Sequence, residues 1–121
     1  MLRIDIQTVR QDVTLRCSGR LVLGFEAEAL RCMVTARPEH SIRVDLRGVT
    51  RIDAAGLGAL VDIQCWAHRR NRRLVISNPS GQVRHLIGLT WLHLVLAIAD
   101  SPDAETEVES EPEFTQRAMT A

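Results

Sequence analysis

Residues 51–61, RIDAAGLGALV, begin as the end of a β-strand and continue as the start of an α-helix. Asp53 stands where a helix N-cap is expected, because its carboxylate can accept the free backbone N–H groups of the first turn. Gly56 and Gly58 are poor helix formers, each costing up to about 1 kcal/mol relative to Ala. Two glycines in a first turn therefore predict that another backbone or a partner approaches this junction closely.

The helix that begins at this junction is predicted to run from about Ala54 to Arg70. At 100° per residue its side chains form two stripes. The stripe predicted to face the sheet comprises Leu57, Leu60, Val61 and Gln64, with His68 at its edge. The opposite stripe, which either packs on neighbouring helices or contacts another protein, comprises Ala55, Ala59, Asp62, Ile63 and Trp66. For Trp66 the favoured interpretation is packing, because large aromatic side chains are mostly buried.

Hydrophobic periodicity predicts the other elements. Alternating apolar residues indicate two strands joined near Arg10 to Asp12, and helical spacing over residues 27–34 indicates a first helix that ends before Pro38. The remaining predicted elements are strands at 41–49, 72–77 and 94–99 and a third helix around Val83, Leu86 and Ile87 that Gly88 or Thr90 ends.

The strand at residues 41–49, SIRVDLRGV, decides the fold class. Its apolar and charged residues alternate strictly, so one face of the sheet is in contact with solvent. The order β-β-α-β-α-β-α-β then predicts an α/β fold with a mixed sheet and helices mainly on one face, rather than a doubly wound dinucleotide-binding fold.

The length of 121 residues fits one domain. Residues 100–121 contain seven acidic residues and one arginine, whereas residues 1–99 contain fourteen arginines and eight acidic residues. We therefore predict a domain at residues 1–100 and a solvated acidic tail at residues 101–121, with a short amphipathic turn around 104–108 as the alternative.

Several classes of function are disfavoured by composition. The chain has no Lys and no Tyr, which excludes Schiff-base and P-loop lysines and tyrosine nucleophiles. Low aromatic content argues against nucleic-acid binding, and the absence of a long apolar run argues against a membrane span or signal peptide, so a cytoplasmic protein is expected. His40, His68, His85 and His93 lack metal-site spacing, so neither a metal nor a cofactor is predicted.

Three further groups of residues have structural interpretations. Cys17, Cys32 and Cys65 are predicted to be buried free thiols. The basic run at residues 68–73, HRRNRR, is predicted to be a solvated helix end, with docking of an acidic partner or of the protein's own tail as the alternative. The residues predicted to cap the third helix, with a substitute phosphorylation site as the alternative, are Ser77, Asn78 and Ser80.

The stretch IRVDLRGVTRIDAAGLGALV, residues 42–61, resembles the signature of the STAS domain, the fold of bacterial anti-sigma-factor antagonists. In that signature a strand of the form hhhDLxxVxxhD precedes [ST]-[ST]-G-h-G at the helix start. GRLVLG at 19–24 and NPSGQVRHLIGLTWL at 78–92 are also similar to the antagonists, so the resemblance covers about residues 3–100. It implies a non-enzymatic protein that binds an anti-sigma factor, itself a serine kinase, and frees a sigma factor.

In such antagonists the kinase phosphorylates the second hydroxyl after the aspartate, and the phosphate releases the complex. The phosphate-accepting position of the antagonists corresponds to Ala55, and the hydroxyl position before it corresponds to Ala54. Neither alanine can accept phosphate. The resemblance implies a monomer or weak homodimer whose partner-binding residues are Asp53, Ala54, Ala55, Gly56, Leu57, Ala59 and Asp62. The alternative is a STAS scaffold or ligand-sensing module of a multiprotein regulatory complex; a hydrolase or transferase using Asp53 and a histidine is disfavoured because no nucleophile and base share a motif.

Overall fold

A computed structural model describes residues 2–99 of the chain, and the acidic tail predicted at residues 101–121 lies outside the described residues. The helices and strands follow the predicted order. Their bounds are β1 (Leu2–Val9), β2 (Asp12–Leu21), α1 (Phe25–Thr35), β3 (Ser41–Ile52), α2 (Ala54–Arg69), β4 (Arg73–Ser77), α3 (Gly81–Leu89) and β5 (Ile98–Ala99).

The five strands form one mixed sheet in the order β1-β2-β3-β4-β5. The predicted hairpin pairs β1 with β2 antiparallel, and every other neighbouring pair is parallel. β3 pairs with β4 only as far as Asp45 opposite Ser77, but it continues beside β2 to Ile52. The long end of β3 therefore carries the start of α2 beyond the edge of β4.

Alternation along the strands separates the core from the solvent-facing side of the sheet, as predicted. In β2, Val13 and Leu15 are buried whereas Arg16 between the core positions is exposed. The largest fully buried side chains are Leu15, Leu21, Leu30, Leu46, Leu60, Ile63 and Ile76. Because the inner faces of strands and helices supply all of them, the core is the single layer between the sheet and its helices.

The outer stripe predicted for α2 mostly serves packing within the chain. Ala59 and Ile63 have no exposed surface, so packing rather than contact with another protein holds for these two residues. At the outer edge the Arg31 Nε of α1 lies 2.7 Å from the Asp62 Oδ2 of α2. Trp66 is half-buried, with the Arg72 guanidinium 5.3 Å from its ring centroid. Helix α1 therefore covers much of the outer stripe of α2, for which the sequence allowed either packing or contact with another protein.

The strand predicted at residues 94–99 is shorter than expected. Leu92–Leu94 forms a 3₁₀ turn, and only Ile98 and Ala99 pair with β4. The Val95 and Leu96 N–H groups both donate to the Leu92 carbonyl, so they are already satisfied and do not join the sheet ladder.

Gln64 joins this short edge strand to the rest of the fold. Its Nε2 donates to the Leu74 carbonyl of β4 at 3.1 Å, and its Oε1 accepts from the Ala97 N–H at 3.0 Å. The residue was predicted to face the sheet, and its amide satisfies two backbone groups there. A polar side chain on the inner stripe thus holds α2, β4 and the segment before β5 together.

The prediction that all three cysteines are buried is wrong for two of them. Cys17 is buried, and burial, followed by the charge of Asp45, raises the pKa of its thiol to about 12. Cys32 and Cys65 are free but exposed. Helix α1 turns Leu30 and the residues spaced with it toward the core, and Cys32 falls outside that stripe.

We expect Gln64→Ala to lower the free energy of unfolding by about 1–3 kcal/mol, because the Leu74 carbonyl and the Ala97 N–H both lose their partner. Urea-induced unfolding measures this change. Gln82→Ala, at an exposed position of α3, is the matched control and should leave stability nearly unchanged. Equal unfolding midpoints for the two variants would contradict the bridging role.

Candidate functional site

The carboxylate of Asp53 organises the junction between β3 and α2. Its Oδ1 accepts a hydrogen bond from the Gly56 N–H at 2.9 Å, which confirms the predicted N-cap. Its Oδ2 accepts from the Leu23 N–H at 3.0 Å, in the loop between β2 and α1. One side chain therefore holds two segments that are thirty residues apart in sequence.

These bonds also fix the charge of Asp53. The hydrogen bond from the Gly56 N–H, followed by that from the Leu23 N–H, stabilises the ionised form and holds the pKa of the Asp53 carboxyl below its ordinary value. A negative charge also suits the positive end of the α2 dipole. The carboxylate is therefore ionised at neutral pH and acts as a structural acceptor.

The two glycines of the first turn have different roles. A Cβ on Gly56 would lie 2.1 Å from the Leu21 carbonyl oxygen and 2.7 Å from Ile52 Cγ1, so the predicted close approach of another backbone is confirmed there. A Cβ on Gly58 would meet only the Arg31 guanidinium, at 4.0 Å. Among the described residues nothing crowds Gly58, so the predicted close approach of another backbone is not found there.

The bonds of Asp53 place an apolar surface around the start of α2. Ala54 is exposed and Ala55 is half-buried, so both methyl groups border solvent. Across the Asp53 bond, Leu23 and Phe25 are 77% and 90% exposed. We call these four residues, Leu23, Phe25, Ala54 and Ala55, the turn surface.

Sequence reasoning missed the two large residues of the turn surface. Leu23 and Phe25 flank Gly24, whose φ of 108° is a left-handed conformation that favours glycine. Two large apolar side chains on either side of a glycine in a loop were the available signal. Their exposure could not be read from periodicity, because the loop has none.

The structure divides the residues predicted to bind a partner. Gly56 is buried and has no side chain, and the side chains of Leu57 and Ala59 pack inside the fold, so none of the three forms part of a surface. Asp62 is exposed, but its carboxylate is bonded to Arg31. Only Ala54 and Ala55 present an unengaged side chain to solvent.

For Ser80 the predicted capping of α3 by a side chain is wrong. Ser80 occupies the N-cap position, but its hydroxyl donates to the Val49 carbonyl at 2.6 Å and no side-chain cap bond forms. The reason is the long end of β3, which brings the Val49 carbonyl within reach of this hydroxyl. Ser80 consequently ties the start of α3 to β3.

Residues 2–99 lack two other kinds of feature. No group of three or more His, Cys, Asp or Glu side chains in this range could hold a metal ion. No helix in the same range is long and apolar enough to cross a membrane.

Comparison with known families identifies the domain. The family model described as "Mlab, STAS domain" matches residues 4–112. This chain belongs to the STAS domain family. The matched range covers most of the chain and extends beyond residue 100, the predicted end of the domain.

Solved structures share this STAS fold. The anti-sigma factor antagonist SpoIIAA in its unphosphorylated form is 17% identical to this chain, with a TM-score of 0.65. The alignment covers 82% of this chain and 89% of the SpoIIAA chain. The phosphorylated form of the Bacillus cell fate determinant SpoIIAA is 18% identical, with a TM-score of 0.67 and coverages of 85% and 95%. A Thermotoga maritima protein proposed to be an anti-sigma factor antagonist is 22% identical, with a TM-score of 0.73 and coverages of 81% and 86%.

We expect Gly56→Ala to destabilise the STAS domain strongly, because the added methyl group meets the backbone oxygen of Leu21, which cannot move without shifting β2. Gly58→Ala adds the same methyl group two residues later, where there is room. It should leave stability unchanged or raise it by up to about 1 kcal/mol through helix propensity. Thermal unfolding of the two variants checks the contrast, and similar losses in both would contradict it.

The lowered pKa of Asp53 predicts a pH-dependent contribution to stability. Its bonds stabilise the folded state above the ordinary carboxyl pKa of 3.8, and this contribution is lost as the pH falls through the lower folded pKa. Asp53→Asn removes the charge but keeps a capping oxygen. The parent should therefore be more stable than the variant at about pH 6, with a gap that narrows toward about pH 3. Denaturant unfolding at the two pH values measures the gap, and a constant gap would contradict the assignment.

Proposed function

We propose that this STAS domain is a non-catalytic protein-interaction module of the cytoplasm that binds an anti-sigma factor of the serine kinase class and so releases a sigma factor. It acts as a monomer or weak homodimer and is not switched off by phosphate at Ala55. The observation that carries the proposal is the turn surface, in which exposed apolar side chains surround a helix start held by Asp53.

The turn surface has the chemistry of a protein-binding site. Burying a Leu or Phe side chain contributes roughly 1.5–3 kcal/mol, and aromatic residues are enriched at the centres of interfaces. The loop that carries Leu23 and Phe25 is bonded to α2 through the Leu23 N–H, so little backbone freedom is lost there on binding. Gly58, one turn further along α2, leaves room for a partner to approach the helix backbone.

The same geometry supports a non-catalytic role. Both carboxylate oxygens of Asp53 already accept backbone N–H groups, and its pKa is lowered, so it is poorly suited to act as a general base near neutral pH. The two residues that follow it have only methyl side chains. The turn therefore offers a partner shape and apolar area rather than a nucleophile.

Regulation by phosphate is the part of the relatives' behaviour that this turn lacks. The solved relative SpoIIAA has an unphosphorylated and a phosphorylated form. A phosphate would add about −1.5 to −2 charges, which are costly to desolvate in a close interface. With alanines at positions 54 and 55, we propose that binding is constitutive.

A scaffold within a multiprotein regulatory complex is the second candidate, and the methyl groups of Ala54 and Ala55 favour it as well. A scaffold has no need of a release step, so the loss of an acceptor hydroxyl would cost it nothing. The two candidates differ in the partner, which is an ATP-binding kinase in the first and another protein of the complex in the second.

The test is binding of the full chain to a purified anti-sigma kinase encoded in the same genome, measured by calorimetry. We expect Ala55→Asp to weaken binding at least about tenfold, because a carboxylate must then be desolvated in the interface. Ala55→Ser should bind like the parent and accept phosphate from the kinase and ATP, whereas the parent accepts none at residues 53–58. Gln7→Asp, which adds the same charge to exposed β1, is the matched control.

Each result decides a separate part of the proposal. If Ala55→Asp binds as tightly as the parent, the turn is not in the interface. If no anti-sigma kinase binds the parent but another protein does so through Leu23 and Phe25, the scaffold candidate replaces the first. Phosphate on the parent at residues 53–58 would contradict the loss of regulation.

A further inference from the structure

The charges of this chain are strongly segregated along the sequence. Residues 63–99 contain five arginines and three histidines but no Asp or Glu. The fourteen residues that follow, 100–113, contain seven acidic residues and no basic one. From position 103 to position 113 every second residue is acidic.

Several arginines near the end of α2 have no ionic partner among residues 2–99. Arg72 is engaged by the Arg37 and Glu39 carbonyls and by the ring of Trp66. By contrast, no carboxylate of residues 2–99 forms a salt bridge with Arg69, Arg70 or Arg73. This end of α2 therefore carries several exposed cations that the described part of the chain does not neutralise.

A groove opens beside these cations. It has a cavity volume of about 370 Å³ and is lined by Gln64, Cys65, His68, Arg69 and Val95. The segment that contributes Val95 also exposes Trp91 and Leu94, which are 68% and 73% exposed. The surroundings thus combine cations on α2 with uncovered apolar side chains before β5.

We propose that the acidic segment at residues 100–113 docks in this groove of its own chain, with carboxylates facing His68 and Arg69 and small apolar side chains facing Val95. The segment offers Ala104 and Val108 between its acidic residues. It therefore matches both the charge and the apolar character of the groove, which no described segment covers.

The length of the segment suffices for this docking. It follows Ala99 directly, and Val95 lies only four residues before that point. The path from Ala99 back past Val95 to Arg69 is about 20 Å long, which is the combined length of roughly four extended residues and one helical turn. Fourteen residues span about 20 Å as a helix and more than about 40 Å as an extended chain, so either conformation reaches.

Docking at this end of α2 leaves the turn surface uncovered. Helix α2 has sixteen residues, so its two ends are about 24 Å apart. The inference therefore does not depend on the proposed function. Either one can fail without the other.

Cys65 provides the test, because it lines the groove, whereas Cys32 is exposed on α1 away from it. The full chain is labelled with N-ethylmaleimide, and the rate at each cysteine is followed by peptide mass spectrometry. In Glu105→Gln/Glu107→Gln/Glu109→Gln we expect Cys65 to react about fivefold faster than in the parent, because a segment that is docked about four-fifths of the time leaves Cys65 accessible in only about one-fifth of the molecules. Cys32 should react at the same rate in both proteins.

Two further variants locate the contact. Arg69→Gln/Arg70→Gln should also speed the labelling of Cys65, because the acidic segment loses the cations against which it docks. Arg20→Gln/Arg51→Gln removes two exposed arginines near the start of α2 and should change nothing. If Arg20→Gln/Arg51→Gln instead speeds the labelling of Cys65, the segment docks near the start of α2 and the assignment is wrong.

The dependence of the Cys65 rate on protein concentration distinguishes docking within one chain from docking between two copies. Docking within one chain predicts a Cys65 rate that is independent of protein concentration. Protection that disappears on tenfold dilution would overturn the inference in favour of a second copy's segment. Equal Cys65 rates in the parent and the triple Gln variant would overturn it altogether.

Discussion

The two hydrogen bonds accepted by Asp53 are the constraint on which the candidate site depends. One of them starts α2 and the other fixes the loop before α1, so the loop and the helix keep a constant relation. That relation is possible only because Gly56 has no side chain to collide with the Leu21 carbonyl. A charge and a missing methyl group together position Leu23 and Phe25 beside Ala54 and Ala55.

Helix α2 connects two chemically different ends of the domain. Its first turn is apolar and anchored by a carboxylate, whereas its last turn is cationic and opens beside a groove. Between them Ile63 and Leu60 are buried, and Gln64 bonds to β4 and to the segment before β5. The helix interior thus fixes the fold, and both helix ends remain available for contacts.

Much of this fold could be predicted from sequence because the controlling signals are local. Alternation identified the strands, and Asp53 marked the start of α2 through short-range capping chemistry. Two of the errors came from long-range contacts, because the burial of Ala59 depends on where α1 lies and the Ser80 hydroxyl donates to the Val49 carbonyl instead of capping its own helix. The shortening of β5 has a local cause, since the Leu92 carbonyl accepts the Val95 and Leu96 N–H groups.

The turn surface was only half visible in the sequence for the same reason. Ala54 and Ala55 were identified through a resemblance, since the residues around them form a recognisable pattern. Leu23 and Phe25 come from a loop thirty residues earlier, and only the bond from the Leu23 N–H to Asp53 brings them beside the alanines.

The exposure of Ala55 bears on the evolution of the domain. Ala55 borders solvent and takes no part in the core, so a single nucleotide change from an alanine codon to a serine codon could add a hydroxyl there without disturbing the cap or the packing. Natural selection can therefore gain or lose a modification site at this position independently of folding.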